Sequence, residues 1–83
     1  MIHSADEIYT LIGKNIKNIR EHRLKLTQEQ LAETLNMSRS FISHLESPNV
    51  NKGISIDTLF LISQKFNLDI RDFFEGYEKF YHI

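Results

Sequence analysis

The chain contains very few of the residues that interrupt helices. Its 83 residues include three glycines and one proline, and between them apolar residues recur at the spacing of an amphipathic helix. The single proline, Pro48, lies in the segment 47–54, which also contains Asn49, Asn51 and Gly53. Because these residue types favour turns, this segment is the one long loop that we expect. The sequence therefore predicts an all-α domain of five helices.

Capping residues mark the ends of these helices. Ser, Thr and Asp at a helix start accept a hydrogen bond from an otherwise unsatisfied backbone N–H, and Asn tolerates the left-handed conformation that ends a helix. We expect N-caps at Ser4, Thr27, Ser38, Ser55 and Asp69. The first four helices are predicted to end near Arg23, Asn36, Glu46 and Asn67, and the fifth to be short unless it continues through Gly76.

Length and composition argue against several classes of function. A chain of 83 residues supports one hydrophobic core and leaves no room for a deep cleft with a second domain. It has no glycine-rich phosphate loop, no nucleophile beside a base and no histidine spacing suited to a metal. The sequence thus predicts that the protein is not an enzyme and uses no cofactor or metal. With no cysteine, no signal segment and no membrane-spanning run, it also predicts a cytoplasmic protein without a membrane partner.

Residues 28–45 have the pattern of two short helices separated by a tight turn. A bulky side chain at Ala32 would hold the two helices apart, so a small residue there favours a close crossing. Two helices that cross steeply over a tight turn form a helix-turn-helix, whose second helix can enter the major groove of DNA. The positions that must be apolar or small at the crossing are Leu31, Ala32, Leu35, Met37, Ile42 and Leu45.

Three segments carry a resemblance to a known family. Residues 26–32 read Leu-Thr-Gln-Glu-Gln-Leu-Ala, 37–46 read Met-Ser-Arg-Ser-Phe-Ile-Ser-His-Leu-Glu and 55–59 read Ser-Ile-Asp-Thr-Leu. Over about residues 8–75 the chain resembles the Cro/repressor-like, or XRE-type, helix-turn-helix regulators of bacteria and phages. The resemblance implies a compact, lambda-repressor-like domain of five helices that spans 1–83. In size the chain is also similar to the controller proteins of restriction-modification systems.

The resemblance implies a DNA-binding role for ten residues. Thr27 and Gln28, at the start of helix two, match positions that hold a phosphate. Base-reading positions of the family are matched by Arg39, Ser40, Ser43 and His44. Arg39 is the best candidate for a bidentate contact to guanine, the alternative being a solvated surface arginine. The full set is Thr27, Gln28, Ser38, Arg39, Ser40, Ser43, His44, Ser47, Asn49 and Lys52. Pro48 stands where the family commonly has glycine, so the loop that carries the last three is expected to follow its own path.

Arg20 and Glu46 are implied to form a structural ion pair. In the family, an arginine of helix one pairs with the glutamate that closes the recognition helix, and these two residues match those positions. Such a pair would fix the orientation of helix three. The alternative is two independent surface charges, which would contribute at most about 1 kcal/mol to stability.

The charges are distributed unevenly along the chain. Ten Lys and Arg against eleven Asp and Glu give a net charge of −1, whereas nucleic-acid-binding domains are usually basic. Residues 14–25 nevertheless contain five basic residues and one acidic residue, while 53–83 contain three basic and five acidic residues. Near-neutrality is therefore an average over a polarised chain, and it predicts a modest, salt-sensitive affinity for non-specific DNA.

Aromatic residues concentrate near the C-terminal end. Five of the nine aromatic residues follow Asp69. Phe73 or Phe74 is expected to pack on the chain's own core, but a domain of this size has little room to bury all five. We therefore expect some residues of the segment of about 69–83, with neighbours from helix four, to form a two-fold homodimer interface. Its candidate residues are Phe73, Phe74, Tyr77, Phe80 and Tyr81. A dimer would place two recognition helices about 34 Å apart, one turn of DNA.

Two functions fit these observations. The first is a sequence-specific transcriptional regulator that binds double-stranded DNA as a homodimer on a pseudo-palindromic operator. The second is an antitoxin-like interaction module whose aromatic tail grips a partner protein and for which DNA binding is secondary. A contact with RNA polymerase or another protein stays open in either case. A purified chain that dimerises by itself and shifts a specific duplex would favour the first function.

Overall fold

Helices account for most of the structure. It is a computed structural model that describes residues 5–48 and 54–80, and of residues 79 and 80 it describes the backbone alone. Within these ranges the α-helices are α1 (Ala5–Asn18), α2 (Gln28–Leu35), α3 (Arg39–Glu46) and α4 (Ile56–Phe66). Two 3-10 helices follow, Ile70–Phe74 and Tyr77–Phe80. The described residues contain no β-strand, and the prediction of an all-α fold is confirmed.

The apolar faces of these elements meet in one core. Ile16 of α1, Leu31 of α2, Ile42 of α3 and Leu59 of α4 are each at most 2% exposed, and Phe73 of the first 3-10 helix is fully buried. α2 packs on α3, while α1 lies against both α3 and the first 3-10 helix. Burying one such side chain contributes about 1.5–3 kcal/mol, so the core fixes α3 from behind.

The predicted caps of α2 and α3 are confirmed. Thr27 Oγ1 accepts a hydrogen bond from the Gln30 N–H at 3.0 Å, and Gln30 Oε1 accepts one from the Thr27 N–H at 2.9 Å. Ser38 Oγ accepts one from the Phe41 N–H at 3.0 Å. Between the two helices, Asn36 has the left-handed conformation with φ 57°. Asn36 and Ser38 therefore define the turn of the helix-turn-helix.

The caps of α4 are also as predicted. Ser55 Oγ accepts a hydrogen bond from the Thr58 N–H at 3.1 Å, and Asn67 ends the helix in the left-handed conformation with φ 53°. Ser4, the expected cap of the first helix, lies outside the described residues.

The first helix changes its pitch before it ends. It is predicted to run as one helix to about Arg23, but after α1 the chain forms a π-helix over Ile19–Leu24. A π-turn accommodates one more residue than an α-turn. Lys25 ends it with φ 58°, and the N–H groups of Lys25 and Leu26 both donate to the Arg20 carbonyl. The wider turn brings Leu26 back alongside Arg20, whose side chain donates a hydrogen bond to the Leu26 carbonyl.

The predicted fifth helix is not an α-helix. Two 3-10 helices occupy its place, separated at Gly76 with φ 92°, a conformation that glycine adopts readily. The physical reason is a side chain of α1: the buried Asn15 Nδ2 donates to the Phe73 carbonyl at 2.8 Å and to the Glu75 carbonyl at 2.9 Å. These two carbonyls are therefore engaged by α1 and not by a following helical turn.

Asp69 begins this C-terminal segment, as the sequence predicts. Its Oδ1 accepts a hydrogen bond from the Arg71 N–H at 2.9 Å, and the Arg71 guanidinium lies 2.6 Å from Oδ2. Hydrogen bonds from the Arg71 side chain, and then from its backbone N–H, lower the pKa of Asp69 from its ordinary 3.8 to about 2.

Gly13 allows α1 to lie directly against the C-terminal end of α3. Its Cα is buried, and a Cβ built on it would overlap the carbonyl oxygen of Leu45. The obstacle is backbone, which cannot move aside as the end of a flexible side chain can. A residue larger than glycine would therefore push α3 away from α1.

Replacing Gly13 by alanine tests this close packing. We expect Gly13→Ala to lower the free energy of unfolding by about 1–3 kcal/mol through overpacking, although alanine has a helix propensity about 1 kcal/mol better than that of glycine. Urea denaturation measures the change. The control is Lys14→Ala, because Lys14 is exposed on the same helix and its replacement should change stability by no more than about 0.5 kcal/mol. A Gly13→Ala variant as stable as the wild type would contradict the packing.

Candidate DNA-binding surface

α2 and α3 cross as a tightly packed pair. Ala32 is 3% exposed, and Ile42 and Leu45 of α3 are 0% and 3% exposed. The Met37 N–H donates to the Ala32 carbonyl at 2.8 Å, which closes the turn between the helices. The crossing that the small side chain of Ala32 predicts is therefore present.

The outer face of α3 presents polar side chains that have no bonding partner among the described residues. Arg39, Ser40, Ser43 and His44 are all exposed, and within the described ranges none of their side chains has a hydrogen bond or an ion pair. A shallow depression is lined by these four residues and Ser47. The structure thus brings together the four predicted base-reading residues on one accessible surface.

The opposite side of α3 is held by a buried ion pair. Arg20 Nε donates to Glu46 Oε2 at 2.7 Å, and Arg20 Nη2 donates to Glu46 Oε1 at 3.0 Å. Arg20 Nη1 also donates to the Leu26 carbonyl at 2.8 Å. The two side chains are 8% and 3% exposed, and the hydrogen bond to Glu46 raises the pKa of Arg20 above its usual value. Arg20 and Glu46 therefore form the structural pair that the resemblance implies.

Gln28 joins this pair. Its Nε2 donates to Glu46 Oε1 at 3.0 Å, so the side chain that was expected to face a phosphate is hydrogen-bonded inside the protein. An amide nitrogen has two hydrogens, and one remains for another acceptor. Gln28 thereby connects the first turn of α2 to the last turn of α3.

A second polar depression opens between α2 and α3. It is lined by Arg20, Thr27, Gln28, Glu29 and Arg39. Arg39 borders both depressions, and the first turn of α2 contributes Gln28 and Glu29 to this one. The backbone N–H groups and the partial positive charge of a helix start suit an anion, whereas Glu29 adds a negative charge at the rim.

The remaining predicted DNA contacts lie at the edges of this surface. Ser38 is exposed, and its oxygen caps α3. Ser47 is half-buried and ends α3, with its N–H donating to the His44 carbonyl at 3.2 Å. Asn49 and Lys52 lie outside the described residues.

The aromatic residues of the C-terminal segment divide into separate groups. Phe73 is 0% exposed, which corrects its place in the predicted interface: its ring packs in this chain's own core and offers no surface to a second copy. Phe74 and Tyr77 are half-buried. The side chain of Phe80, and all of Tyr81, lie outside what the structure describes.

Apolar surface is exposed elsewhere. The large hydrophobic residues that are exposed in the described part of the chain are Phe41 at 37%, Ile56 at 63% and Phe60 at 54%. None of the three is named among the candidate interface residues, although unnamed neighbours from helix four were expected to contribute to the interface. A signal was present for Ile56 and Phe60, because they add a second apolar stripe to α4 beside the buried one that contains Leu59 and Ile62.

Over residues 5–48 and 54–80, no three His, Asp or Glu side chains come together in a way that could hold a metal ion. No helix in the same ranges is both long enough and apolar enough to cross a membrane.

The geometry agrees with comparisons to known proteins. A family profile described as a helix-turn-helix domain matches residues 13–79. This chain belongs to the helix-turn-helix family. An immunity repressor protein of Bacillus phage phi105 is 48% identical to this helix-turn-helix protein over 44 residues, which are 53% of this chain and 30% of the repressor. Together the two matches identify a Cro/repressor-like member of the family, and the chain spans about a third of the length of that relative.

Breaking the buried pair of the helix-turn-helix protein should be costly. Removing one partner leaves the other charge buried without compensation, so we expect Arg20→Ala to lower the free energy of unfolding by about 3–5 kcal/mol. The double variant Arg20→Met with Glu46→Leu removes both charges and should be more stable than Arg20→Ala. Urea denaturation measures both.

An exposed pair of the same protein is the control. Arg23 Nη1 lies 2.8 Å from Asp72 Oδ2, with side chains 51% and 36% exposed. Asp72→Asn should therefore cost at most about 1 kcal/mol. Similar losses for Arg20→Ala and Asp72→Asn would show that burial of the Arg20–Glu46 pair has no structural importance.

Proposed function

We propose that this helix-turn-helix protein is a sequence-specific transcriptional regulator that reads DNA by inserting α3 into the major groove. The observation that carries the proposal is the outer face of α3, where four polar side chains are exposed and uncommitted among the described residues. The inner face of the same helix is fixed by the core and by the Arg20–Glu46 pair. A rigid helix that presents uncommitted polar groups is what direct reading of base edges requires. The relative is named an immunity repressor, which favours repression as the outcome.

Phosphate contacts would set the register of α3 on the duplex. The first turn of α2, with Thr27 and Gln28, offers backbone N–H groups beside the depression that Arg39 also borders. Gln28 can donate its second amide hydrogen to a phosphate while the first stays with Glu46. A phosphate bound there would therefore be linked through one side chain to the end of the recognition helix.

Arg39 is the residue most suited to read a base. It stands in the first turn of α3, and its guanidinium can donate two hydrogen bonds to the O6 and N7 acceptors of guanine. The operator for this test is the duplex enriched from random sequences by binding-site selection with the wild-type protein. We expect Arg39→Ala to weaken binding to this operator by about 10- to 100-fold per half-site, the range for losing one bidentate contact. Binding to random duplex of equal length should fall much less. Fluorescence anisotropy at fixed salt measures both affinities.

The control for Arg39 is a change of equal charge far from α3. Lys65 is exposed near the end of α4, and Lys65→Ala should leave the ratio of operator to random affinity unchanged. If Arg39→Ala weakened both duplexes equally, Arg39 would be a phosphate contact and not a base reader.

A second copy of the chain is the proposed partner of α4. Ile56 and Phe60 are four residues apart and therefore lie on one face of the helix. If two α4 helices pair about a two-fold axis, these two side chains of each copy cover the same apolar surface of the other copy, which makes the contact self-complementary. The dimer would present two copies of α3 to the half-sites of a pseudo-palindromic operator.

Sedimentation equilibrium can separate this interface from the aromatic tail. We expect the double variant Ile56→Ala with Phe60→Ala to weaken dimerisation by at least about 100-fold, because each protomer loses two buried apolar side chains. Tyr77→Ala should leave the dimer intact. The reverse result would place the interface in the C-terminal segment, as the sequence alone predicts.

The same experiment tests the alternative function. The apolar face of α4 would also suit a different protein, as an antitoxin-like module requires. A wild-type chain that remains monomeric at micromolar concentration, and that enriches no sequence in a binding-site selection, would favour that alternative over the regulator.

A further inference from the structure

An exposed aromatic ring lies on the recognition helix itself. Phe41 is 37% exposed, although a phenylalanine is among the most costly side chains to leave in water. Ile56 and Phe60, the other exposed large hydrophobics of the described ranges, lie together on α4, but Phe41 belongs to α3. Its backbone is also fixed, because the Phe41 N–H is the donor to the capping Ser38 oxygen.

Helical geometry places Phe41 beside the base-reading residues. Successive residues of an α-helix are rotated by about 100°, so Phe41 and His44 lie about 60° apart on one flank of α3. Arg39 lies about 160° from Phe41, on the other flank, where it borders the depression between α2 and α3. The small residues Ser40 and Ser43 occupy the face between the flanks.

The outer face of α3 therefore has a cationic edge and an aromatic edge. The two serines between them allow the helix to approach the base pairs closely. On their major-groove edges the bases display mainly hydrogen-bonding atoms, and the one apolar substituent that projects from them is the C5-methyl group of thymine. A ring on this face that entered the groove would lose free energy against any polar atom and gain it against that methyl group.

We propose that Phe41 contacts the C5-methyl group of one thymine in each half-site, and so specifies a T·A pair on the His44 side of the base that Arg39 reads. This inference rests on the proposed function, since it requires α3 to enter the major groove. It adds to the polar contacts a residue that distinguishes bases by shape and apolarity.

Replacing thymine by uracil isolates the methyl group. Uracil pairs as thymine does and keeps every hydrogen-bonding atom, so only the methyl contact is lost. The probe is the duplex obtained by binding-site selection from random sequence with the wild-type full chain, with each thymine replaced in turn. We expect one position per half-site at which uracil lowers wild-type affinity by about fourfold, the value for burying one methyl group.

The variants assign that effect to Phe41. Phe41→Ala should bind the thymine and uracil duplexes equally at that position, and Phe41→Leu, which keeps an apolar side chain, should retain part of the preference. Phe60→Ala is the matched control, because it removes an exposed phenylalanine from α4 and should keep the full thymine preference even if overall affinity falls. Thermal unfolding by circular dichroism confirms that each variant is folded.

Three results would overturn the proposal. The first is a wild-type protein indifferent to uracil at every position, and the second is a Phe41→Ala variant that keeps the preference. The third is a shift of Phe41→Ala toward monomer in sedimentation equilibrium, which would assign the ring to a protomer interface. Each leaves sequence-specific binding intact, whereas a selection that enriches no sequence removes the proposed function and the Phe41 contact with it.

Discussion

A pair of charges that water scarcely reaches holds the recognition helix in place. The Glu46 carboxylate accepts two hydrogen bonds from Arg20 and one from Gln28, and the third donor nitrogen of Arg20 reaches the carbonyl of Leu26. Burying two charges is expensive unless such bonds satisfy them, and here they do. The end of α3, the start of α2 and the segment after the π-helix all meet at one guanidinium. The orientation of the proposed base-reading face depends on this meeting point.

Local chemistry explains what the sequence predicts well. Thr27, Ser38 and Ser55 bond to backbone N–H groups three residues away, and Asn36 and Asn67 adopt left-handed conformations within their own turns. Each of these features depends on a few neighbouring residues, so spacing alone locates it. The outer face of α3 is predictable for the same reason, because its periodicity separates it from the buried Ile42 and Leu45.

Contacts between distant parts of the chain account for what the sequence does not predict. Asn15 reaches carbonyls 58 and 60 residues away and turns the expected fifth helix into two 3-10 helices. Gly13 is required by the carbonyl of Leu45 on another helix. The role of Gln28 depends on the position of Glu46, and the burial of Phe73 depends on where its segment docks. Periodicity contains no information on any of these pairings.

The structure also reduces the positive charge available to DNA. Of the five basic residues between 14 and 25, Arg20 is neutralised by Glu46 and Arg23 lies 2.8 Å from Asp72. Lys14, Lys17 and Lys25 remain exposed. Since the salt dependence of binding rises by about 0.9 per phosphate neutralised, the non-specific affinity and its salt dependence would both be smaller than five basic residues alone predict. Discrimination would then depend mainly on the groups of α3.

The shortness of α3 limits the information that one copy can read. Its eight residues extend about 12 Å at about 1.5 Å per residue, and base pairs stack about 3.4 Å apart, so the helix can lie beside about four of them. By chance a word of four base pairs recurs about once in 256 positions, whereas two such words at a fixed spacing recur about once in 65,000. In the proposed dimer, the fixed distance between the two α3 helices would therefore contribute to the rarity of the DNA site, together with the side chains of each helix.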